Sequence, residues 1–268
     1  MLYRFLTCVG AMYLIVVPGP AQSQSTEEDL AKQLANPVAS LISVPFQFNY
    51  DQNFGSADDG ERLAVNIQPV VPLSISDDWN FISRTILPVV WQDDVIPREG
   101  TQFGLGDVVQ SAFFSPAKVG ESGIIWGVGP VLLIPTATES KLGTEKFGLG
   151  PTAVVLRQSG PWTYGALVNH IWSVAGDSDR NDVNSTFLQP FINYTTSGAT
   201  SFFLNTETTY DWNADRASVP INAGANQLFT IGTQRIQIGA GIRYWVDGPE
   251  AGPEGFGVRF NIVFLFPK

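Results

Sequence analysis

From Val38 onward, hydrophobic and polar side chains alternate with a period of two, the repeat of a strand with one face in an apolar medium and one in a polar medium. In the first such stretch Ser40, Ile42, Val44, Phe46, Phe48 and Tyr50 share one face, while Ser43, Gln47, Asn49 and Asp51 share the other. The pattern persists to the end of the chain. It predicts further strands at about 62–73, 79–91, 105–114, 123–135, 146–158, 162–174, 183–195, 200–211, 217–228, 235–246 and 256–266, which with the first makes twelve. Ahead of them, Ser25 to Asn36 reads as a short helix capped by Ser25 or Thr26 and stopped by Pro37.

The connections alternate in kind. Tight turns such as Ser76-Asp-Asp, Ser159-Gly-Pro and Ser197-Gly-Ala take turns with longer loops, Asp51–Glu61, Gln92–Gly104, Thr136–Glu145, Ala175–Asp182, Asp211–Arg216 and Asp247–Gly255. An even number of antiparallel strands joined alternately by short and long connections is the plan of an up-and-down barrel in an outer membrane, with the short turns periplasmic and the long loops outside. The physical reason is that hydrocarbon offers no partner for backbone N–H and C=O groups, so a β-structure there has to close on itself. Prolines at 69, 72, 88, 130, 135, 151, 190 and 220 run against the pattern, because proline cannot donate to a ladder. They are expected at bulges or where strands overhang the bilayer.

Aromatic placement sharpens the picture. Trp79, Trp126 and Trp162 fall near the starts of strands rising from short turns, and Trp91, Trp172, Trp212 and Trp245 fall where strands run out into long loops. This is the double girdle expected at the two membrane–water interfaces. The last strand places Phe256, Val258, Phe260, Ile262, Phe264 and Phe266 on one face, resembling the signal read by the barrel assembly machinery. It departs from that signal in ending on Pro267-Lys268.

Composition adds the compartment. Arg4, an apolar run from Phe5 to Val17 and a small-residue stretch ending near Ala21 or Ser23 form a secretory signal peptide, too short to span as a helix. The expected organisation is therefore a signal peptide at 1–23, a helical segment at 24–37 and one barrel at 38–268. The single cysteine, Cys8, lies in the signal, so the mature chain is expected to have no disulfide, and no cofactor or metal is expected. Acidic residues outnumber basic ones, 25 to 15, which argues against nucleic acid. Most of the acids lie in the long loops, on the outer rim. The expected partners are outer-membrane lipid and lipopolysaccharide, the assembly machinery and an unidentified small solute.

A twelve-stranded barrel is wider than the eight-stranded kind and narrower than sixteen-stranded porins, so a constricted lumen is expected. Its inward candidates are Asn66, Gln68, Arg84, Asn205, Glu207, Asn222, Arg243, Arg259 and Asn261. Counted from the girdle, Arg84 and Glu207 reach similar height on opposite walls. They would face each other, either as a constriction selecting solutes or as a network that props the lumen open. The helix over 26–36 either plugs the periplasmic mouth or is a mobile lead-in. Catalysis is not expected: the sole histidine, His170, and Ser173 point to opposite faces of a strand and cannot form a base–nucleophile pair. The loop Ala175-Gly-Asp-Ser-Asp-Arg-Asn-Asp182 has only a weak likeness to a calcium loop.

Asn66-Ile-Gln-Pro-Val, Ser83-Arg-Thr-Ile-Leu-Pro, Phe103-Gly-Leu-Gly-Asp, Gly127-Val-Gly-Pro, Gly150-Pro-Thr-Ala-Val, Gly160-Pro-Trp-Thr-Tyr-Gly-Ala, Asn169-His-Ile-Trp-Ser and Gly239-Ala-Gly-Ile-Arg-Tyr-Trp extend over nearly the whole mature chain. In these stretches the sequence resembles the bacterial outer-membrane family named for the MetA pathway of phenol degradation, often labelled transporter or neuromedin U. The resemblance implies an outer-membrane barrel channel for small molecules, apolar or aromatic ones among them, and carries no established site residues. The competing readings are a structural or adhesive barrel with acidic external loops, and an interfacial lipid-modifying enzyme.

Overall fold

The computed structural model describes residues 26–55, 57–96 and 98–266; the signal peptide and the terminal Pro267-Lys268 lie outside the described residues. The chain forms a closed antiparallel barrel of twelve strands preceded by one short helix. The strands are β1 (Ile42–Phe54), β2 (Gly60–Ile67 and Val70–Ser74), β3 (Trp79–Asp93), β4 (Gln102–Leu105 and Val108–Pro116), β5 (Ile124–Ile134) and β6 (Lys146–Ser159). They continue with β7 (Trp162–Gly176), β8 (Asn184–Thr195), β9 (Thr200–Thr206 and Thr208–Asp211), β10 (Arg216–Ile231), β11 (Gln234–Asp247) and β12 (Gly255–Phe266). Each pairs with its sequence neighbour, and β1 closes the ring on β12 from Ile42↔Phe266 to Tyr50↔Val258.

The three interrupted strands have local causes. In β2 the ladder lapses at Pro69, which has no N–H to give, yet the register continues unchanged from Gln47↔Asn66 to Ser43↔Val70. In β4 the pairing with β3 shifts by one residue between Val89↔Leu105 and Ile86↔Val109. The extra residue is taken up around Gly106-Asp107, a bulge facing Pro88, whose carbonyl accepts from Gly106 N–H. In β9 the gap is Glu207, where the register between Thr206↔Ile221 and Thr209↔Ser218 brings Pro220 opposite. Pro130 and Pro151 stand directly opposite each other on the outer face. The glycine before each admits a neighbouring backbone: a Cβ at Gly129 would lie 1.8 Å from the Ala112 carbonyl oxygen, and one at Gly150 would lie 1.7 Å from that of His170.

Alternation sorts the wall. Outward positions such as Val128, Leu132, Leu149, Val155, Phe202, Leu204, Ile242, Val258 and Phe260 are large, apolar and exposed. A soluble monomer does not leave so continuous an apolar belt in water, so this face belongs in lipid. Inward positions are apolar at the short-turn end, where Ile82, Phe113, Leu167 and Leu228 are buried, and amide-bearing or charged above it.

The helix α1 (Glu27–Leu34) is capped by Thr26, whose hydroxyl accepts from Asp29 N–H at 3.1 Å while the Asp29 carboxylate accepts from Thr26 N–H, a reciprocal capping box. It ends at Leu34, three residues before Pro37. It sits inside the short-turn end of the barrel, where Leu30 and Ala31 pack on Ala199, Leu228, Val263 and Leu265. The segment is thus packed against the inner wall. The next residues do not start the first strand, contrary to expectation: β1 begins at Ile42. Val38 instead crosses the lumen floor to pack on Ile82, Phe113, Val154, Leu156 and Leu167. Burying Val38 in a ready-made apolar socket outweighs extending an already paired ladder.

Candidate functional site: the barrel lumen

Above this floor the inner wall turns polar. Asn49 on β1 stands opposite Arg259 on β12, so both side chains point inward. Arg259, 2% exposed, donates from Nε to Asn49 Oδ1 at 2.8 Å and from its two terminal nitrogens to both carboxylate oxygens of Glu207 at 2.9 and 2.6 Å. That fork geometry is the strong form of an ion pair. Beside Glu207, Asn222 Nδ2 donates to Asn205 Oδ1 at 2.9 Å.

A second pair lies nearer the outer mouth. The Arg243 Nε is 3.2 Å from Asp51 Oδ1 at an angle unsuited to a hydrogen bond, and the same oxygen accepts from Trp245 Nε1 at 2.9 Å. The Arg243 guanidinium also lies 5.2 Å from the Trp245 ring centroid. Arg62 rests over the Phe54 ring and donates to Gln92, which donates onward to Gln102. Arg84 donates to Gln68 Oε1 at 3.0 Å, and among the described residues no carboxylate lies within ion-pair distance of it or of Arg62.

One expectation is refined and one changes. Arg84 and Glu207 line the same chamber without touching, because the carboxylate of Glu207 is taken by Arg259, on a wall three strands away. Trp245 does not join the outer girdle, since it shares the inner face with Arg243 two residues earlier and spends its N–H on Asp51. Asp51 itself was missing from the sequence-derived set, although its place on the polar face of β1 marks it. Asn66, opposite Gln47, and Asn261, which donates to Asn226, also lie on the inner wall.

The other six tryptophans face outward. Trp79 and Trp126 meet edge to face, as do Trp162 with Tyr194 and Trp212 with Tyr210, while Trp91 lies opposite Phe103 and Trp172 stacks on His170. His170 Nδ1 is 2.7 Å from the Thr186 hydroxyl, which also accepts from Trp212 Nε1. The Ser173 hydroxyl is turned away, donating to Asp182.

The N-terminal segment and the charged layer border a cavity of about 240 Å³. Its floor is the chain from Gln33 to Leu41. Its walls include Arg84, Glu207 and Arg259 together with Phe191 and Phe203. Toward the outside, the loop after β5 folds against β4: Asp107 accepts from the Thr144 N–H and hydroxyl and from Ala137 N–H. The Ala175–Asp182 loop is pinned by Lys146 on Asp182 and by Arg180 on two backbone carbonyls of the preceding loop. The Lys146 ammonium, followed by the Ser173 hydroxyl, holds the Asp182 carboxyl below the usual carboxylate range. Among the described residues no three metal-ligating side chains converge, in this loop or elsewhere.

No family model and no curated protein matches the sequence. Solved structures do match. An outer membrane channel from Pseudomonas putida F1 is 15% identical, covers 94% of this chain and 100% of its own, and superposes with a TM-score of 0.66. Outer membrane phospholipase A from Escherichia coli is 10% identical over 89% of this chain and 98% of its own, with a TM-score of 0.49. The fold is that of an outer-membrane β-barrel.

Proposed function

We propose that the protein is a channel in the bacterial outer membrane, reached through a cleaved signal peptide, that passes small molecules through a constricted polar lumen and rests closed at its periplasmic end. The observation that carries this reading is the cavity between the charged layer and the N-terminal segment. A barrel kept only as a wall or an adhesin has no need of an internal chamber floored by a segment outside the strands. The likeness in fold to the Pseudomonas putida channel and the family resemblance in sequence support the same class. The resemblance points to small solutes, apolar or aromatic ones among them.

In planar bilayers, removal of residues 24–36 is expected to raise single-channel conductance several-fold over the intact protein. Equal conductance with and without that segment overturns the plug. For the layer above, Arg84→Ala and Glu207→Ala are expected to change conductance and ion preference; unchanged values mean that these residues do not form the constriction.

A further inference from the structure

Charge in the middle of the lumen is unevenly matched. Three arginines, Arg84, Arg243 and Arg259, meet two carboxylates, Asp51 and Glu207, in a chain whose formal net charge is -10. Glu207 is taken bidentately by Arg259, and Asp51 is shared by Arg243 and Trp245. An incoming cation would therefore find no free acid. An incoming anion would find Arg84, which uses one of five N–H donors on Gln68 and borders the cavity.

We infer that this cavity is a binding site for a small organic monocarboxylate, its carboxylate on Arg84 and its apolar body toward Phe191 and Phe203 on the facing wall. Three features fix the class. The guanidinium presents a planar fork that matches a carboxylate, giving two parallel charge-assisted hydrogen bonds. An arginine inside a barrel wall with no carboxylate in contact bears a desolvation cost that a bound anion relieves. The volume, about 240 Å³, is below the roughly 300–1,000 Å³ of pockets for drug-sized ligands, so the occupant is small. Phe191 and Phe203 give the chamber an apolar side, so an anion with a compact apolar body fits better than a fully hydrated inorganic ion.

The site deepens the channel reading by naming a solute class, and it rests on that reading only for its role in transport. The test is binding of benzoate to the purified full-length barrel, by calorimetry and by thermal shift, beside its neutral isostere benzamide and the cation benzylamine. Benzoate is expected to bind at least tenfold more tightly than either. Arg84→Gln, which keeps a hydrogen-bonding group near Gln68, is expected to lose at least tenfold in benzoate affinity and to leave benzamide unchanged, and Arg84→Lys to recover part of the loss. Equal binding of the three probes to the wild-type protein, or benzoate affinity indifferent to Arg84→Gln in a folded variant, overturns the site. The wild-type comparison decides the matter even if the variant does not fold. Selective benzoate binding by a protein that stays non-conducting after removal of 24–36 overturns the channel and keeps the site. Conductance without selective binding does the reverse.

Discussion

The two halves of the lumen are built on different principles. The short-turn half is packed like the core of a soluble protein: Leu30, Ala31 and Val38 fill sockets lined by Leu228, Val263, Ile82 and Phe113. The middle half is a lattice of side chains that all spring from the strands, with Arg259, Glu207, Asn49, Asp51 and Arg243 held to one another across the ring. The packed half depends on a segment outside the ladder, attached by a few apolar contacts and by hydrogen bonds such as Gln158 to the Lys32 carbonyl and Thr230 to Glu27. The lattice cannot leave without unmaking the wall. The contrast sets a floor that can be removed without breaking a strand pairing beneath a layer that cannot.

The lattice gives the largest expected effect on stability. Glu207→Gln leaves Arg259 buried without its counterion, and breaking a buried pair from one side costs about 3–5 kcal/mol. A lowered midpoint in heat-modifiability or urea unfolding of the whole barrel is expected; an unchanged midpoint means that the lumen is wet enough to screen the charge. Leu30→Ala acts on the other half. Truncating a leucine that is 3% exposed costs about 2–3 kcal/mol, in the lower part of the range for such changes. This loss falls on the docking of the helix: hydrogen exchange over residues 27–34 is expected to quicken while the strand amides keep their protection. Slowing or acceleration shared by the whole barrel would mean that the two halves are one cooperative unit.

The smallest effect lies at the outer rim. Because the Asp182 carboxyl is held below its ordinary range, its bond to Lys146 persists above that range and is lost only as pH falls through the lowered value. The loop is exposed, so salt weakens the bond. Exchange protection of Ser173 and Val183 amides should therefore fade only in acid stronger than that which protonates a free aspartate. Their loss near the ordinary carboxylate range would remove the pin without touching the contrast between the halves.

How much of this is written in the sequence follows from which forces act locally. The strand positions are legible because lipid on one side and water on the other impose a period of two at every residue, and β3, β6, β7 and β9 begin where that period places them. The inner face of Trp245 was legible too: alternation from Arg243 fixes it, but the habit of tryptophan to sit at interfaces outweighed the parity. The Glu207–Arg259 pair was not legible. Its members are 52 residues apart, and their meeting depends on the stagger of the whole ring, which no local pattern carries. The floor was half legible, because amphipathy gives the helix but not the direction in which Val38 leaves it.

The ring closure has a consequence for the order of assembly. Val263 and Leu265, against which the helix rests, belong to the last strand of the chain, and the sockets for Val38 come from β3, β4, β6 and β7. The segment translated ahead of every strand thus has its complete seat only once the final strand is in place. Its docking reports completion: in a barrel still open at the β1–β12 seam Leu30 and Ala31 lack the wall that Val263 and Leu265 supply, and in a finished one both are buried.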